Sequence, residues 1–258
     1  MIARLSSLLL CLAGALFALG IATADNKQNV THNECRILVY GATGRVGSRV
    51  VTEALHRGHF VTAVSRDPSR ISRRHDQLVA VKGDVLDTDS VRALVGDHDI
   101  VVVSVRGSAD GSREPAQSVQ RVAAEIVVNV LRDLGADAPR LIYVGGAGSL
   151  EVKPSVTFAD TLGGLARAMM PASVEQEIDG HVLTLAFLRT VEDVRWTYIS
   201  PAKKFGPGER TGVFRIGGDQ MLLDEKGKSR ISMEDFAVAL VDEIESAQHT
   251  RERISVAY

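Results

Sequence analysis

The stretch Arg36–Gly47, R-I-L-V-Y-G-A-T-G-R-V-G, joins an apolar run to three evenly spaced glycines. Residues 37–40 predict a buried strand, and residues 46–55 show the periodicity of a helix. A glycine turn between a strand and a helix brings backbone N–H groups against a phosphate, although a turn without a ligand is the alternative. The spacing here, G-x-x-G-x-x-G, differs from the usual G-x-G-x-x-G. The prediction therefore depends on the location of the glycines between a strand and a helix. We predict that a pyrophosphate binds Gly41, Thr43, Gly44, Arg45, Val46 and Gly47.

Apolar runs and helical segments alternate along the rest of the chain. Further strands are predicted at 60–64, 79–81, 99–105, 141–144 and 196–199, with a helix over 119–134. Strands that are apolar on both faces must be covered on both faces, which favours a parallel, doubly wound sheet. A short strand at 212–216, a helix from Ser232 and a final edge strand over 253–258 complete the pattern. The predicted fold is a single α/β Rossmann-like domain, residues 36–258, with a small C-terminal substrate-side lobe.

The first 24 residues have the pattern of a signal peptide. Arg4 is the one charge before Asp25, the run 5–21 is almost wholly apolar, and Ala22-Thr23-Ala24 provides small residues for a signal peptidase. We expect cleavage after Ala24, export to a periplasmic or extracellular location, and an N-terminal extension over 25–35. The alternative is an uncleaved membrane anchor, because such a run can just span a bilayer.

The overall composition is that of an ordinary globular protein. Of 258 residues, 45% are hydrophobic, 24% are charged and 5% are aromatic, and the formal net charge is −2. These values argue against a disordered chain, a bundle of transmembrane helices and a basic nucleic-acid-binding protein. The histidines and cysteines lack the spacing of metal ligands, so no metal site is predicted.

The residues after the second strand bear on the choice of dinucleotide. An acidic residue about 20 positions beyond the glycines holds the ribose of NAD, whereas a basic one tolerates the 2′-phosphate of NADP. Arg66 occupies this position in S-R-D-P, and Arg45 is a second candidate for the same phosphate. NADP(H) is therefore favoured over NAD(H), unless Arg66 pairs with the neighbouring Asp67. After the third strand, Asp84 and Val85 are predicted to border the adenine.

Taken together, these segments resemble atypical short-chain dehydrogenase/reductases. The likeness is closer to the group of NmrA-like proteins and flavin and biliverdin-IXβ reductases, and it covers Arg36 to Tyr258. It rests on G-A-T-G-R-V-G, S-R-D-P, G-D at 83–84, L-I-Y-V-G-G-A-G-S at 141–149, I-S-P-A at 199–202 and P-G-E-R-T-G at 207–212. The resemblance implies NADP(H) lying across the carboxyl ends of the strands. It places the nicotinamide near Ser104, Val105, Gly145, Gly146 and Pro201.

The residues for chemistry are harder to predict than those for binding. The usual active site of this superfamily pairs a tyrosine with a lysine four residues later, and no tyrosine here has one. The segment D-G-H-V resembles a stretch of the flavin and biliverdin reductases and implies that His181 donates a proton or a hydrogen bond. Its alternative is a helix-surface histidine. Ser149 is a second catalytic candidate, with helix capping as its alternative.

Two functions remain open at this stage. One is an NADPH-dependent reductase of a flavin, a quinone or another small conjugated acceptor, in which protons come from solvent. The other is a non-catalytic NADP-binding sensor or interaction protein of NmrA-like type. Lys203 and Lys204 offer charge to an anionic ligand, although adjacent lysines usually point in different directions. The oligomeric state is left open.

Overall fold

A computed structural model describes residues 34–107 and 114–258. The predicted signal segment, most of the predicted extension and residues 108–113 lie outside the described part. The strands, numbered in chain order, are β1 (Arg36–Tyr40), β2 (Phe60–Ser65), β3 (Leu78–Lys82), β4 (Ile100–Val103), β5 (Arg140–Val144), β6 (Glu151–Lys153), β7 (Val156–Thr157), β8 (Trp196–Pro201), β9 (Lys204–Gly206), β10 (Arg215–Gly217), β11 (Arg230–Ser232) and β12 (Glu252–Ala257). The α-helices are α1 (Gly47–His56), α2 (Thr88–Val95), α3 (Val119–Leu134), α4 (Gly164–Ala168), α5 (Ala172–Leu188) and α6 (Met233–Ser246).

The central sheet confirms the predicted architecture. Within the described residues it has eight strands in the order β10-β12-β8-β5-β4-β1-β2-β3. Neighbours pair in parallel from β3 to β12, and β10 alone is antiparallel. The order reverses between β1 and β4, so the sheet has a switch point at the carboxyl end of β1. Ligands of doubly wound sheets bind at such a point.

Both faces of the sheet are buried, as the apolar strands predict. In β1, Ile37 and Val39 pack in one hydrophobic cluster with α1 and α6. Leu38 and Tyr40 point to the other face and pack in a second cluster with α2, α3 and α5. Alternate residues of a strand face opposite sides, so a strand between two helical layers must be apolar throughout.

The prediction of a final edge strand is wrong. β12 pairs in parallel with β8 on one side and antiparallel with β10 on the other, with Arg215 opposite Ala257. The short β10 therefore forms the edge, and it begins at Arg215 rather than at Gly212. The cause is a long-range return of the chain, which local periodicity does not reveal.

The C-terminal lobe is attached through a buried carboxylate. In this lobe β9 pairs with β11. The loop before β10 binds the side chain of Asp235 in the first turn of α6. Asp235 accepts hydrogen bonds from the Thr211 N–H at 2.7 Å, the Gly212 N–H at 2.8 Å and the Tyr258 hydroxyl at 2.8 Å. These bonds satisfy a carboxylate that would otherwise be costly to bury. None of the helices among the described residues is long and apolar enough to cross a membrane.

Candidate functional site

A cleft of about 1190 Å³ runs along the carboxyl ends of the parallel strands. It extends from the ends of β2 and β3, past the glycine turn after β1, to the ends of β4, β5 and β8. Of the predicted cofactor-binding residues, the structure brings together at this cleft Gly41, Thr43, Gly44, Arg45, Val46, Arg66, Asp84, Val85, Ser104, Val105, Gly145, Gly146 and Pro201.

The glycine turn is shaped by close backbone contacts. Gly41 has a φ of +79°, and a Cβ there would lie 2.0 Å from the carbonyl oxygen of Ser104. The Gly44 N–H donates to the Gly41 carbonyl at 2.8 Å, which closes the turn. Gly47 lies behind the turn, where a Cβ would meet the Gly41 oxygen at 2.2 Å. Gly41 and Gly47 therefore allow α1 to start directly against β1.

The start of α1 suits an anion. Its N-cap residue, Val46, makes no side-chain cap, and the first turn has no acidic residue. The N-terminal N–H groups of a helix carry a partial positive charge and need acceptors. A pyrophosphate beside Thr43, Gly44 and Arg45 would supply them.

Three arginines line the β2 end of the cleft. They are Arg45, Arg66 and Arg70, of which Arg70 lies in a short 3-10 turn after Pro68 and was not predicted from the sequence. Asp67 does not pair with Arg66 in the described structure, because its carboxylate accepts from the N–H and hydroxyl of Ser69 at 3.1 and 2.6 Å. These hydrogen bonds lower the pKa of Asp67. The Arg66 guanidinium can therefore bind a phosphate, whereas Arg70 lies close enough to Asp67 for its charge to lower the Asp67 pKa as well.

Asp84 and Val85 lie beside the same end of the cleft, after β3. The Asp84 carboxylate accepts from the Leu86 N–H at 3.0 Å, and the Asp84 N–H donates to the Ser90 hydroxyl at 3.0 Å. These hydrogen bonds between the side chains and backbone of the turn fix its conformation. Contact with adenine stays a prediction.

The opposite wall is formed where β5 and β8 meet. A Cβ on Gly145 would lie 2.2 Å from the Tyr198 ring, and one on Gly146 would lie 2.9 Å from His181 Cδ2. The absence of a Cβ on Gly145 therefore makes room for the buried Tyr198 ring, and its absence on Gly146 lets the imidazole reach the cleft wall. Ser104, Val105 and Pro201 complete this side.

His181 is buried rather than on the helix surface. It projects from α5, is 6% exposed and lines the cleft. Its Nδ1 lies 3.4 Å from the hydroxyl oxygen of Tyr198, and that hydroxyl donates to the His181 carbonyl at 3.0 Å. Burial lowers the pKa of His181 to about 4, against a smaller opposing effect of Glu177. At neutral pH this imidazole can hydrogen-bond a ligand, and its catalytic role stays a prediction.

This burial predicts a specific dependence of stability on pH. Between about pH 6.5 and 4 the unfolded chain binds a proton at His181 and the folded chain does not, so stability falls as the pH drops through this window. At neutral pH the neutral state of His181 contributes roughly 3 kcal/mol to the free energy of unfolding, and this contribution is lost below about pH 4. Urea unfolding at several pH values should show a shallower pH dependence for His181→Gln than for wild type. Leu183→Gln, at an exposed position of the same helix, is the control and should keep the wild-type slope, because it introduces the same side chain without removing a titratable group; a wild-type slope in His181→Gln would contradict the burial effect.

Ser149 occupies a less accessible place than His181. It is 5% exposed and is not among the described residues that line the cleft, although Ala147 and Gly148 are. The chain continues into β6 rather than a helix, so Ser149 does not cap a following helix. Its carbonyl accepts from the Arg253 guanidinium at 3.3 Å. A catalytic role for Ser149 remains a prediction.

The buried tyrosines are unsuited to acid chemistry. Tyr143 and Tyr198 stack with their ring centroids 5.9 Å apart, and the Tyr143 hydroxyl donates to the Gln120 carbonyl at 2.6 Å. Burial raises the pKa of both phenols well above the usual value. Both hydroxyls therefore stay protonated, which agrees with the absence of a tyrosine–lysine pair in the sequence.

A glycine turn at the switch point of a doubly wound sheet, with arginines at one end of the cleft, is the arrangement of a dinucleotide-binding protein of Rossmann-like fold. The chain belongs to the NAD(P)H-binding family, whose sequence profile matches residues 41–246. The resemblance to atypical short-chain dehydrogenase/reductases is thereby confirmed at the level of fold and cofactor class.

Several proteins are similar over nearly their whole length. The uncharacterised protein YwnB of Bacillus subtilis is 33% identical over 224 residues, which cover 86% of this chain and 97% of YwnB. A structure from Burkholderia pseudomallei, described as a candidate exported protein, is 37% identical, with a TM-score of 0.72 and coverage of 87% of this chain and 100% of that one. A candidate NADH-flavin reductase from Streptococcus pneumoniae is 29% identical, with a TM-score of 0.71 and coverage of 86% and 99%.

Proposed function

We propose that this protein is an NADPH-dependent oxidoreductase that reduces a flavin, a quinone or another small conjugated acceptor. The observation that carries the proposal is the continuation of the cleft beyond the predicted nicotinamide wall. Phe158, Val174 and Ile178 line this further part and offer apolar surface for a second planar molecule. The candidate NADH-flavin reductase of Streptococcus pneumoniae supports the choice of acceptor.

The chain's own residues have distinct tasks in this proposal. The glycine turn and the start of α1 bind the pyrophosphate, and Arg45, Arg66 and Arg70 bind the 2′-phosphate. Gly145 and Gly146 border the nicotinamide, which supplies a hydride when the reduced dinucleotide is bound. The neutral imidazole of His181 hydrogen-bonds the acceptor or the nicotinamide amide. The acceptor's proton comes from solvent, so no acidic phenol is needed.

Export is part of the proposal as well. The apolar N-terminal segment with its small residues before Asp25 supports cleavage after Ala24. The similarity to a candidate exported protein of Burkholderia pseudomallei also supports it. The mature protein would then meet its dinucleotide outside the cytoplasm, or bind it as a lasting structural ligand.

Arg66→Ala is expected to weaken NADPH binding about tenfold or more and to leave NADH binding unchanged. The physical reason is loss of a charge-assisted hydrogen bond to the phosphate that NADH lacks. Arg70→Ala should act in the same direction with a smaller effect. Calorimetric titration of each variant with both dinucleotides measures the preference.

Arg73→Ala is the matched control for this experiment. Arg73 is an exposed arginine of the same segment, but it donates to the Thr52 hydroxyl at 2.9 Å and does not line the cleft. It should keep the wild-type preference. Equal affinity of the wild type for NADPH and NADH would overturn the NADP assignment.

Turnover separates the reductase from the non-catalytic alternative. NADPH oxidation is followed with riboflavin, FMN and a quinone, with and without protein. The reductase accelerates the reaction above its rate in free solution. No acceleration across these acceptors, with NADPH binding intact, would favour the NmrA-like sensor or interaction protein.

A further inference from the structure

We propose that the acceptor carries an anionic group, a phosphate or a carboxylate, which binds the ammonium group of Lys203 at the β8 end of the cleft. This inference rests on the proposed function, since it names the chemistry of the second ligand. It goes beyond that function by selecting among conjugated acceptors according to their charge.

Lys203 is held at the far end of the cleft from the arginines. It follows the last residues of β8, and its N–H donates to the Ser229 hydroxyl at 3.2 Å. Its Nζ lies 4.5 Å from the centroid of the Phe158 ring, and both side chains line the cleft. Lys204 lines a different groove, next to β11. The structure thus directs one lysine of the pair to the candidate acceptor site.

The charges around Lys203 leave it able to bind an anion. Among the described residues, the other charged side chains of this half of the cleft are Arg106 and Glu177. These two form an ion pair with a distance of 2.9 Å between Arg106 Nη2 and the Glu177 carboxylate, so they largely cancel. No carboxylate of the described residues pairs with Lys203, whose partner is an aromatic face. An ammonium group has three donors, and a ring contact leaves donors for a ligand.

The side chains beside Lys203 are suited to a ligand that is both planar and anionic. The half-buried ring of Phe158 and the side chain of Ile178 provide apolar surface for a conjugated ring system. Because its pKa lies near 4, His181 adds no positive charge at neutral pH. Lys203 is therefore the cation that distinguishes an acidic acceptor from its neutral analogue.

FMN and riboflavin provide the direct test, because they share one ring system and differ by a phosphate. Quenching of flavin fluorescence on the full chain saturated with NADP⁺ measures binding without turnover. We expect FMN to bind about tenfold more tightly than riboflavin. Lys203→Met, which keeps an apolar side chain of similar length, should remove this preference, and Lys203→Arg should retain it. Lys204→Met is the matched control and should behave as wild type.

A second comparison identifies which anion is preferred. A naphthoquinone with a carboxylate and the same quinone without it are used to displace bound FMN. Stronger displacement by the carboxylated quinone, lost in Lys203→Met, supports a carboxylate as a ligand. A preference for FMN over riboflavin with no difference between the quinones assigns the phosphate.

The outcomes distinguish this inference from the proposed function. Equal binding of FMN and riboflavin together with equal displacement by the two quinones would overturn the anion site, as would preferences that survive Lys203→Met. In those cases NADPH oxidation with riboflavin would still support the reductase. If no flavin and no quinone binds while NADPH does, the anion site is overturned, and the non-catalytic NADP-binding protein is favoured over the reductase.

Discussion

Gly41→Ala is expected to weaken NADPH binding by at least about 100-fold, which corresponds to roughly 2.8 kcal/mol. A Cβ at this position would lie 2.0 Å from the Ser104 carbonyl oxygen, and φ is +79°. Relief of the collision must move the turn away from β4, and with it the N–H groups that we propose bind the pyrophosphate. Calorimetric titration with NADPH measures the loss, and urea unfolding shows whether the variant is folded.

Gly58→Ala is the control that separates the two effects of Gly41→Ala, the collision of the Cβ and the cost of alanine at a positive φ. Gly58 follows α1 with a φ of +85°, yet a Cβ there meets nothing within 4 Å. Alanine at a positive φ costs about 1–2 kcal/mol in either place. We expect Gly58→Ala to lower the free energy of unfolding by that amount and to bind NADPH normally. Wild-type affinity in Gly41→Ala would show that this turn does not hold the dinucleotide.

Arg140→Met is expected to lower the free energy of unfolding by about 3–5 kcal/mol, because it takes the guanidinium away from the buried Glu243 carboxylate and leaves it the contacts with His249, the N–H at 3.0 Å and the imidazole Nδ1 at 2.6 Å. Arg140 lies at the start of β5 with its side chain 5% exposed, and Glu243 on α6 is 4% exposed. The guanidinium donates to the Glu243 carboxylate, to the Thr197 hydroxyl at 2.7 Å and to the His249 carbonyl at 3.0 Å. This network ties the amino ends of β5 and β8 to α6.

Three comparisons make the Arg140 prediction specific. Arg132→Met removes an exposed ion pair with Asp193, at 2.7 Å and 37% side-chain exposure, and should cost no more than about 1 kcal/mol. The double variant Arg140→Met/Glu243→Leu should recover much of the lost stability, since the buried carboxylate is removed together with its guanidinium partner and only the His249 N–H and imidazole lose an acceptor. NADPH affinity should not change, because Arg140 and the cleft lie at opposite ends of the strands. A loss below about 1 kcal/mol for Arg140→Met would contradict the account.

The local features of the fold were predictable because they depend on neighbouring residues. Residues 37–40 are apolar in succession, so β1 had to be covered on both faces. An α-helix separates β1 from β2, β3 from β4 and β4 from β5, which favours parallel pairing. The glycines at 41, 44 and 47 were recognised because a tight turn restricts residue types at fixed spacing.

Other features of the site arise from residues that are far apart in the chain. Arg70 joins the phosphate end because a 3-10 turn after Pro68 directs it there. Phe158 and Lys203 meet at the other end although 45 positions separate them (203 − 158). Tyr198 on β8 reaches His181 on α5 only because both glycines after β5 lack a side chain. No local pattern encodes these approaches.

The sequence by itself determined the fold class, the position of the phosphate turn and the basic residue after β2, since each follows from short-range periodicity or backbone restriction. The tertiary structure decided that β12 lies inside the sheet, that Ser149 lies behind the cleft wall, that His181 is buried and neutral, and that Lys203 rather than Lys204 lines the cleft. These outcomes depend on which distant segments pack together, and packing sets the burial, the pKa and the direction of a side chain.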